Sequence, residues 1–190
     1  MSFPVDVDFD ALLEKDPHVA GWIFCEDTPL NYPVMQWSDN IHYLTYGMNG
    51  DDTTYGAVFM DAANAPDSLD INTILYGHHM NNGSMFACVA AYKQQEYLDA
   101  HPVMWFATPY AAYRADVYSC YVTVPDSESY DILFAGEAEY AAWIEKTLEE
   151  SLVKAEVSPN VSSKILTLST CSYEFEGARC VLHAVLTLVE

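Results

Sequence analysis

Two apolar segments near the C-terminus constrain the fold of this chain more than any other feature. Lys164 to Thr170 and Arg179 to Val189 are rich in aliphatic and β-branched residues, and in the second segment the odd-numbered positions share one face. The polar loop Ser172 to Gly177 lies between them. We expect the two strands to pair antiparallel across this loop, which brings Cys171 and Arg179 to the same end of a sheet.

More strands are expected upstream, so the sequence predicts a mainly β protein. Short apolar runs rich in aromatic and β-branched residues, in which the 14 tyrosines recur, indicate buried strands and one long hairpin. These runs are Ala57 to Met60, Ile71 to Tyr76, Val103 to Thr108 and Ala112 to Val124. Asn31 to Val34 is predicted to be an extended or edge segment because it contains Pro33.

Helical spacing of apolar residues is confined to a few segments. Asp8 to Lys15 is predicted to be a helix that stops before Pro17, and Val19 to Phe24 is predicted to be a short turn. A second helix is predicted from Ser84, its N-cap, to a point before Pro102. Its apolar face consists of Phe86, Val89, Ala90 and Leu98.

The clearest helical pattern is the segment Glu137 to Lys154. Every third or fourth residue is apolar, and glutamates occupy the opposite face. The apolar stripe consists of Tyr140, Trp143, Ile144, Leu148 and Leu152. We therefore expect one long helix just before the C-terminal strand pair.

Charge and length exclude several classes of protein. The 190 residues include 7 Lys and Arg against 28 Asp and Glu, a formal net charge of −21. Such a surface repels phosphate groups, so neither nucleic acid nor anionic lipid is an expected partner of this domain. No repeat or linker interrupts the chain, so residues 1–190 are expected to form a single domain. No apolar run approaches the roughly 20 residues that cross a bilayer.

Five cysteines are present, an odd number, so at least one thiol stays free unless it pairs with another molecule. None of them forms a C-x-x-C pair of the kind found in zinc and redox sites. Cys88 and Cys120 lie within apolar patterns and are predicted to be small buried residues. Because no metal-ligand cluster is visible, neither a metal nor another cofactor is expected.

Cys171 differs from the other cysteines because it ends an apolar strand where a polar loop begins. A thiol in that position is partly exposed, as a nucleophile must be. Arg179 on the returning strand would favour the thiolate and donate hydrogen bonds to an oxyanion. His78 follows the run Ile71 to Tyr76 across Gly77, and its imidazole can protonate a departing amine and deprotonate an incoming one.

Each of these three residues also has a simpler interpretation. Taken alone, Arg179 would be a surface residue that neutralises Glu174 or Glu176, and a single histidine or cysteine is more often structural than catalytic. His78 and His79 are adjacent, so they would point to opposite faces of a strand and make a poor shared metal site. Spacing along the chain does not establish that the three side chains converge.

These motifs together resemble the sortases, a family of cysteine transpeptidases. Thr-Leu-Ser-Thr-Cys at 167–171, followed by Arg179, is similar to the sortase signature, and Tyr-Gly-His at 76–78 is similar to the family's histidine motif. Segments throughout the rest of the chain resemble class B members in particular. They are Leu12-Leu13 through Gly21-Trp22-Ile23, Asn31-Tyr32-Pro33-Val34, Asp39-Asn40 with Tyr43-Leu44, Ala57-Val58-Phe59-Met60-Asp61, and the long helix before the cysteine strand.

The resemblance implies a fold and a set of site residues. It implies an eight-stranded sortase-type β-barrel with an N-terminal helical segment and a long helix before the catalytic strand. Cys171 matches the nucleophile, His78 the general acid and base, and Arg179 the residue that orients substrate and stabilises the oxyanion. Positions lining the groove for the sorting signal are matched by Asn40, Leu44, Tyr76, Ser169 and Thr170. The segment 127–133 is expected to form another wall of that groove.

The resemblance also implies partners and a location. Sortases cleave a Thr-x bond in a C-terminal sorting motif through a thioacyl-enzyme and transfer the acyl group to an amine of a cell-wall precursor or a pilin. Class B members commonly take Asn-Pro-x-Thr signals, and some take Pro-x-Thr-Gly-like ones. We therefore expect a Gram-positive enzyme on the extracellular face of the plasma membrane. The family's usual N-terminal anchor is absent from this sequence, and we expect one in the native protein.

Two other interpretations remain open at this stage. A papain-like cysteine hydrolase also needs cysteine and histidine, but it usually places the cysteine early, at a helix N-terminus, and the histidine later. Here His78 precedes Cys171, and both follow strands, which disfavours that class. The other is a non-catalytic surface binding domain in which Cys171 is structural, an interpretation that a disulfide between Cys171 and Cys180 would favour.

Overall fold

Eight strands close into a β-barrel in the computed structural model, which describes residues 2–189. The strands are β1 (Val19–Phe24), β2 (Asn31–Met35), β3 (Val58–Met60), β4 (Asn72–Tyr76), β5 (Val103–Ala107), β6 (Ala112–Thr123), β7 (Lys164–Cys171) and β8 (Arg179–Val189). Their order around the barrel is β1-β2-β3-β4-β7-β8-β6-β5, with β5 pairing back to β1. The β2–β3 and β4–β7 pairs are parallel, and the others are antiparallel. The expected eight-stranded barrel is confirmed.

Helices are peripheral and short. The α-helices are α1 (Phe9–Lys15), α2 (Gln95–Ala100) and α3 (Glu137–Glu149), and 3₁₀ helices occur at His42–Leu44, Phe86–Lys93 and Glu128–Tyr130. Helix α1 begins where the sequence predicts, because the Asp8 carboxylate accepts a hydrogen bond from the Ala11 amide at 2.9 Å. Within residues 2–189 none of the helices has the length and apolar character needed to span a membrane.

The prediction of a short turn at Val19 to Phe24 is wrong, because this segment is strand β1. It pairs with β2 on one side and with β5 on the other, so partners distant in sequence stabilise its extended form. Gly21 is required there. A Cβ at this position would lie 2.4 Å from the carbonyl oxygen of Ala107.

The helix predicted from Ser84 is divided into two pieces. A 3₁₀ helix begins at Phe86, whose amide donates to the His78 carbonyl at 2.9 Å, and α2 follows after Gln94. The Ser84 hydroxyl makes no N-cap, since it donates to the Asn82 side chain at 2.7 Å. The predicted apolar residues are therefore divided between two helical segments, and Leu98 is buried on the second.

The long helix α3 ends at Glu149, five residues before the predicted end at Lys154. The Leu152 amide donates to the carbonyl of Cys120 on β6 at 2.8 Å, so the chain after the helix bonds to the barrel instead of continuing the helix. Leu148 and Leu152 are 40% and 59% exposed, and Thr147 takes the predicted place in the buried stripe.

The two faces of β7 and β8 serve different purposes. Even-numbered residues, including Leu166, Leu168 and Leu182, belong to the main hydrophobic core. Odd-numbered residues lie on the opposite face, where Ile165 packs with Trp143 and other residues of α3. This second face runs from the α3 interface to the ends of both strands, and it carries Cys171 and Arg179.

Candidate active site

The parallel pairing of β4 with β7 brings His78 and Cys171 to the same edge of the sheet. Tyr76 is the register partner of Ser169, and the Gly77 amide donates to the Ser169 carbonyl at 3.2 Å. His78 and Cys171 each follow their strand's paired residue by two positions. Because parallel strands advance in the same direction, the two side chains emerge at corresponding points of neighbouring strands.

Arg179 lies directly across from Cys171 in the antiparallel β7–β8 pair. Side chains of paired residues project from the same face of a sheet, so the guanidinium and the thiol share one surface. The Arg179 Nη1 donates to the carbonyls of Gly177 and Ala178, each at 3.1 Å, which holds the guanidinium at the mouth of the loop. Glu174 is paired with Lys93, whose Nζ lies 2.5 Å from its Oε1, and so does not serve as the partner of Arg179.

Cys171 is the accessible thiol of the five. It is half-buried, whereas Cys25, Cys88, Cys120 and Cys180 are all buried. Burial raises the pKa of the Cys88 thiol to about 12, so that thiol stays protonated near neutral pH. All five cysteines are free, and no disulfide joins Cys171 to Cys180. Accessibility therefore distinguishes Cys171 from the others, as the strand-end position predicts.

The two adjacent histidines are oriented by different hydrogen bonds. His78 Nε2 lies 2.7 Å from the Leu44 carbonyl oxygen, and His79 Nδ1 lies 3.0 Å from the carbonyl oxygen of Cys171. A carbonyl only accepts, so each of these nitrogens carries a proton. His79 thus braces the backbone of Cys171, while His78 is tied to the 3₁₀ helix His42–Leu44. Within residues 2–189 no group of three His, Cys, Asp or Glu side chains is arranged to hold a metal ion.

A groove of about 240 Å³ adjoins this edge of the barrel. Its lining includes four of the five residues predicted to bind substrate, together with Arg179. The lining residues are Asn40, Leu44, Phe59, Tyr76, Pro125, Tyr130, Ser169 and Arg179. Thr170 is not among them. Its side chain is buried, and its Oγ1 donates to the Gly77 carbonyl at 2.8 Å, so a contact of Thr170 with substrate stays a prediction.

Asp61 does not line the groove itself but holds two of the residues that do. Its Oδ2 accepts hydrogen bonds from Asn40 Nδ2 and from the Tyr76 hydroxyl, each at 2.8 Å. The Asn40 Oδ1 accepts from the Ala62 amide at 2.8 Å, which settles which end of the amide faces Asp61. Burial and then the Asp61 charge raise the pKa of Tyr76, so its hydroxyl stays protonated. Sequence reasoning included Asp61 in a motif but did not assign it this contact.

Tyr130 also lines the groove, and it belongs to the segment 127–133 that was expected to form a groove wall. Its hydroxyl lies 2.8 Å from Ser169 Oγ, and its ring stacks on that of Tyr76 with centroids 6.2 Å apart. Tyr130 ends the 3₁₀ helix Glu128–Tyr130 between β6 and α3, and its position depends on contacts far along the chain. The local sequence therefore carries no signal that singles it out among the 14 tyrosines.

An accessible thiol, an imidazole and a guanidinium at one barrel edge, with a groove that includes the guanidinium residue in its lining, are the groups that cysteine acyl transfer requires. A family profile described as a sortase domain matches residues 23–187. Sortase B of Staphylococcus aureus is 32% identical over 163 residues, which cover 86% of this chain and 67% of that protein. Sortase B of Listeria monocytogenes is 32% identical over 176 residues, covering 92% of this chain and 71% of that one.

Solved structures give the same result. The structure of a Staphylococcus aureus sortase B–substrate complex matches with a TM-score of 0.91 at 31% identity, covering 96% of this chain and 85% of that chain. The chain belongs to the sortase family and resembles class B; it is a cysteine transpeptidase. The papain-like and non-catalytic alternatives are not favoured. In this fold Cys171 is the last residue of a barrel strand, whereas a papain-like cysteine lies at the start of a helix.

Proposed function

We propose that Cys171, His78 and Arg179 carry the transpeptidase reaction and that the 240 Å³ groove binds a C-terminal sorting motif. Cys171 acts as the nucleophile, His78 as general acid and base, and Arg179 as the donor to the oxyanion. Asn40, Leu44, Tyr76, Ser169 and Thr170 contribute to recognition of the motif. The support for these roles is the strand register, in which Cys171 pairs with Arg179 and corresponds in position to His78 on β4.

The reaction divides into two acyl transfers. The Cys171 sulfur attacks the carbonyl carbon of the Thr-x bond, and the resulting oxyanion accepts hydrogen bonds from Arg179. The C–N bond then breaks, and His78 gives a proton to the departing amine. A second amine attacks the thioacyl carbon, loses its proton to His78, and releases the Cys171 thiolate as a new amide forms. Bond making and proton transfer balance without a cofactor.

The proposal extends to partners and location. The matched Staphylococcus aureus structure is described as a substrate complex, and a sorting-motif protein is the corresponding partner here. The acceptor is an amine of a cell-wall precursor or a pilin, and the site of action is the extracellular face of a Gram-positive plasma membrane. These assignments follow from membership of the family together with the groove beside Cys171.

A panel of peptides tests this function directly. We expect an Asn-Pro-x-Thr or a Pro-x-Thr-Gly peptide, incubated with the enzyme and a glycine-based amine, to give a ligated product and an acyl adduct on Cys171 in mass spectra. The control peptides have the threonine replaced by valine or the scissile amide N-methylated. Absence of product and adduct with every sorting peptide, at substrate concentrations that saturate known sortases, would contradict the proposal.

Arg179 provides a prediction about the oxyanion. Arg179→Lys is expected to lower kcat/KM for the sorting peptide by about 10²-fold, because an ammonium lacks the planar fork of donors that a guanidinium offers. The matched control is Arg114→Lys, whose side chain bonds to Asp116 at 2.7 Å and is not part of the groove lining. Equal activity losses in the two variants would exclude a specific role for Arg179.

A further inference from the structure

Five buried residues form a closed ring of hydrogen bonds through their side chains and one backbone carbonyl. Asn72, Thr167 and His183 are fully buried, and Tyr121 and Ser129 are 3% and 5% exposed. Thr167 Oγ1 lies 2.6 Å from Asn72 Oδ1 and 2.8 Å from His183 Nδ1. His183 Nε2 lies 3.0 Å from the Tyr121 hydroxyl, which lies 2.8 Å from Ser129 Oγ. Asn72 Nδ2 closes the ring by donating to the Ser129 carbonyl at 3.3 Å.

Every proton in this ring has a determined place. The amide of Asn72 donates through Nδ2, so its Oδ1 accepts the proton of the Thr167 hydroxyl. Thr167 has no second proton, so it must accept from His183 Nδ1. The bare Nε2 of His183 then accepts from the Tyr121 hydroxyl, and Tyr121 in turn accepts from Ser129. All five polar groups are satisfied in one direction around the ring, and removal of any member leaves buried neighbours unpaired.

The ring requires a neutral His183, and its surroundings provide one. Burial lowers the pKa of His183 to about 3, so the imidazole is uncharged near neutral pH. The aromatic side chains of Tyr118 and Trp143 pack against the imidazole of His183, with ring centroids 5.9 and 5.4 Å from its centroid. The hydrogen-bonded arrangement therefore persists throughout the pH range in which a cell-surface enzyme works.

The ring holds both neighbours of the groove residue Tyr130. Ser129 is a member, and the carbonyl of Asp131 accepts from Asn72 Nδ2 at 2.9 Å. Tyr130 lies between these two anchored residues, and its hydroxyl reaches Ser169 at 2.8 Å. Thr167 and His183 sit on the β7–β8 face that also carries Ser169, so the ring and the groove share one surface.

We propose that the ring of Asn72, Thr167, His183, Tyr121 and Ser129 positions Tyr130, and through it sets the affinity of the groove for the sorting peptide. This inference rests on the proposed function of the groove. The ring residues act on the peptide only through Tyr130, so they are positioning residues. Helix α3 holds Glu128, two residues before Tyr130, through Trp143 Nε1 at 2.7 Å, while the ring holds the backbone on both sides of Tyr130.

Tyr121→Phe tests the inference by removing one hydroxyl from the ring. The change breaks the hydroxyl's bonds to His183 and to Ser129. Because the Ser129 bond is the one that anchors the loop, KM for the sorting peptide is expected to rise about three- to tenfold and kcat to stay within about twofold. The matched control is Tyr118→Phe. Tyr118 lies on the same strand and is equally buried, but its hydroxyl contacts Thr147 of α3 at 3.0 Å, so KM is expected to stay within about twofold of the wild type.

A double mutant separates positioning from general loosening. In a Tyr130→Ala background, Tyr121→Phe is expected to change KM by less than about twofold, because the residue through which the ring acts is gone. Ser129→Ala serves as a second ring variant in case Tyr121→Phe folds poorly. All variants are compared at a temperature at which circular dichroism shows them fully folded. Equal KM changes in Tyr121→Phe and Tyr118→Phe, or an unchanged KM in both ring variants, would overturn the inference.

Hydrogen exchange supplies a measurement that does not depend on activity. Tyr121→Phe is expected to speed amide exchange in peptides covering residues 127–133 by at least about threefold, and Tyr118→Phe is expected to leave it unchanged. Unchanged exchange in Tyr121→Phe would show that the ring does not hold this loop. If the loop loosens as expected but the wild type processes no sorting peptide, the proposed function fails while the anchoring of Tyr130 stands.

Discussion

Cys171→Ala is expected to abolish transpeptidation, with kcat/KM for the sorting peptide falling by at least about 10³-fold. The alanine removes the sulfur that forms the thioacyl bond, and the other four thiols are buried and cannot substitute. The half-buried position of Cys171 makes the change small for the fold. Thermal unfolding followed by circular dichroism should therefore give a midpoint close to that of the wild type.

The matched control for this variant is Cys88→Ala. Cys88 is buried in the 3₁₀ helix Phe86–Lys93 and does not line the groove, so its replacement should leave kcat/KM within about threefold. Product formation and acyl-adduct formation are measured for both variants by mass spectrometry. Alkylation by a thiol reagent should label Cys171 first in the native wild type. Cleavage by Cys171→Ala at a rate near that of the wild type would refute the assignment of the nucleophile.

His78→Ala is expected to lower kcat/KM by about 10²- to 10⁴-fold, the range over which a general acid and base contributes. Without the imidazole, the departing amine leaves unprotonated and the incoming amine keeps its proton. Steady-state kinetics with the sorting peptide measures the loss. Both acyl transfers should slow, so the loss should appear in hydrolysis as well as in transfer to the amine.

His79→Ala separates the two adjacent histidines. His79 braces the Cys171 carbonyl at 3.0 Å and contacts the Tyr173 ring, so its loss should disturb the loop and lower kcat/KM by about tenfold or less. If His79→Ala lost more activity than His78→Ala, His79 and not His78 would be the general acid and base. The two variants form a matched pair because the histidines are adjacent in the chain, and each is hydrogen-bonded to a different backbone carbonyl.

Much of the barrel could be predicted from local pattern. Strands β3 to β8 coincide with apolar runs rich in β-branched and aromatic residues, and β3, β4 and β7 are buried almost continuously, as such runs predict. The antiparallel pairing of Cys171 with Arg179 follows from a short polar loop between two such runs, which leaves few other registers. The prediction of a strand-end thiol therefore required only the neighbouring residues.

The missed elements depend on partners that are distant in the sequence. Strand β1 pairs with β5, more than 80 residues downstream, and no local pattern in Val19–Phe24 indicates that pairing. Helix α3 stops early because Leu152 bonds to Cys120 of β6. In both cases a tertiary hydrogen bond overrides local propensity, which contributes only a fraction of a kcal/mol per residue in helices, up to about 0.7.

The sequence by itself determined the strand-rich architecture and the three reactive groups, each at the end of an apolar run. Alternation, turn residues and residue chemistry act over a few neighbours, so they can be recognised in one dimension. Only the tertiary structure decided that β4 lies parallel to β7, which brings His78 and Cys171 to the same edge of the sheet. It also decided that Asp61 bonds to the groove residues Asn40 and Tyr76 and that Tyr130 joins them in the groove lining. Those contacts join residues separated by tens of positions in the sequence. They form because the barrel closes in one particular strand order, which pairs the backbone groups of its strands and places distant segments side by side.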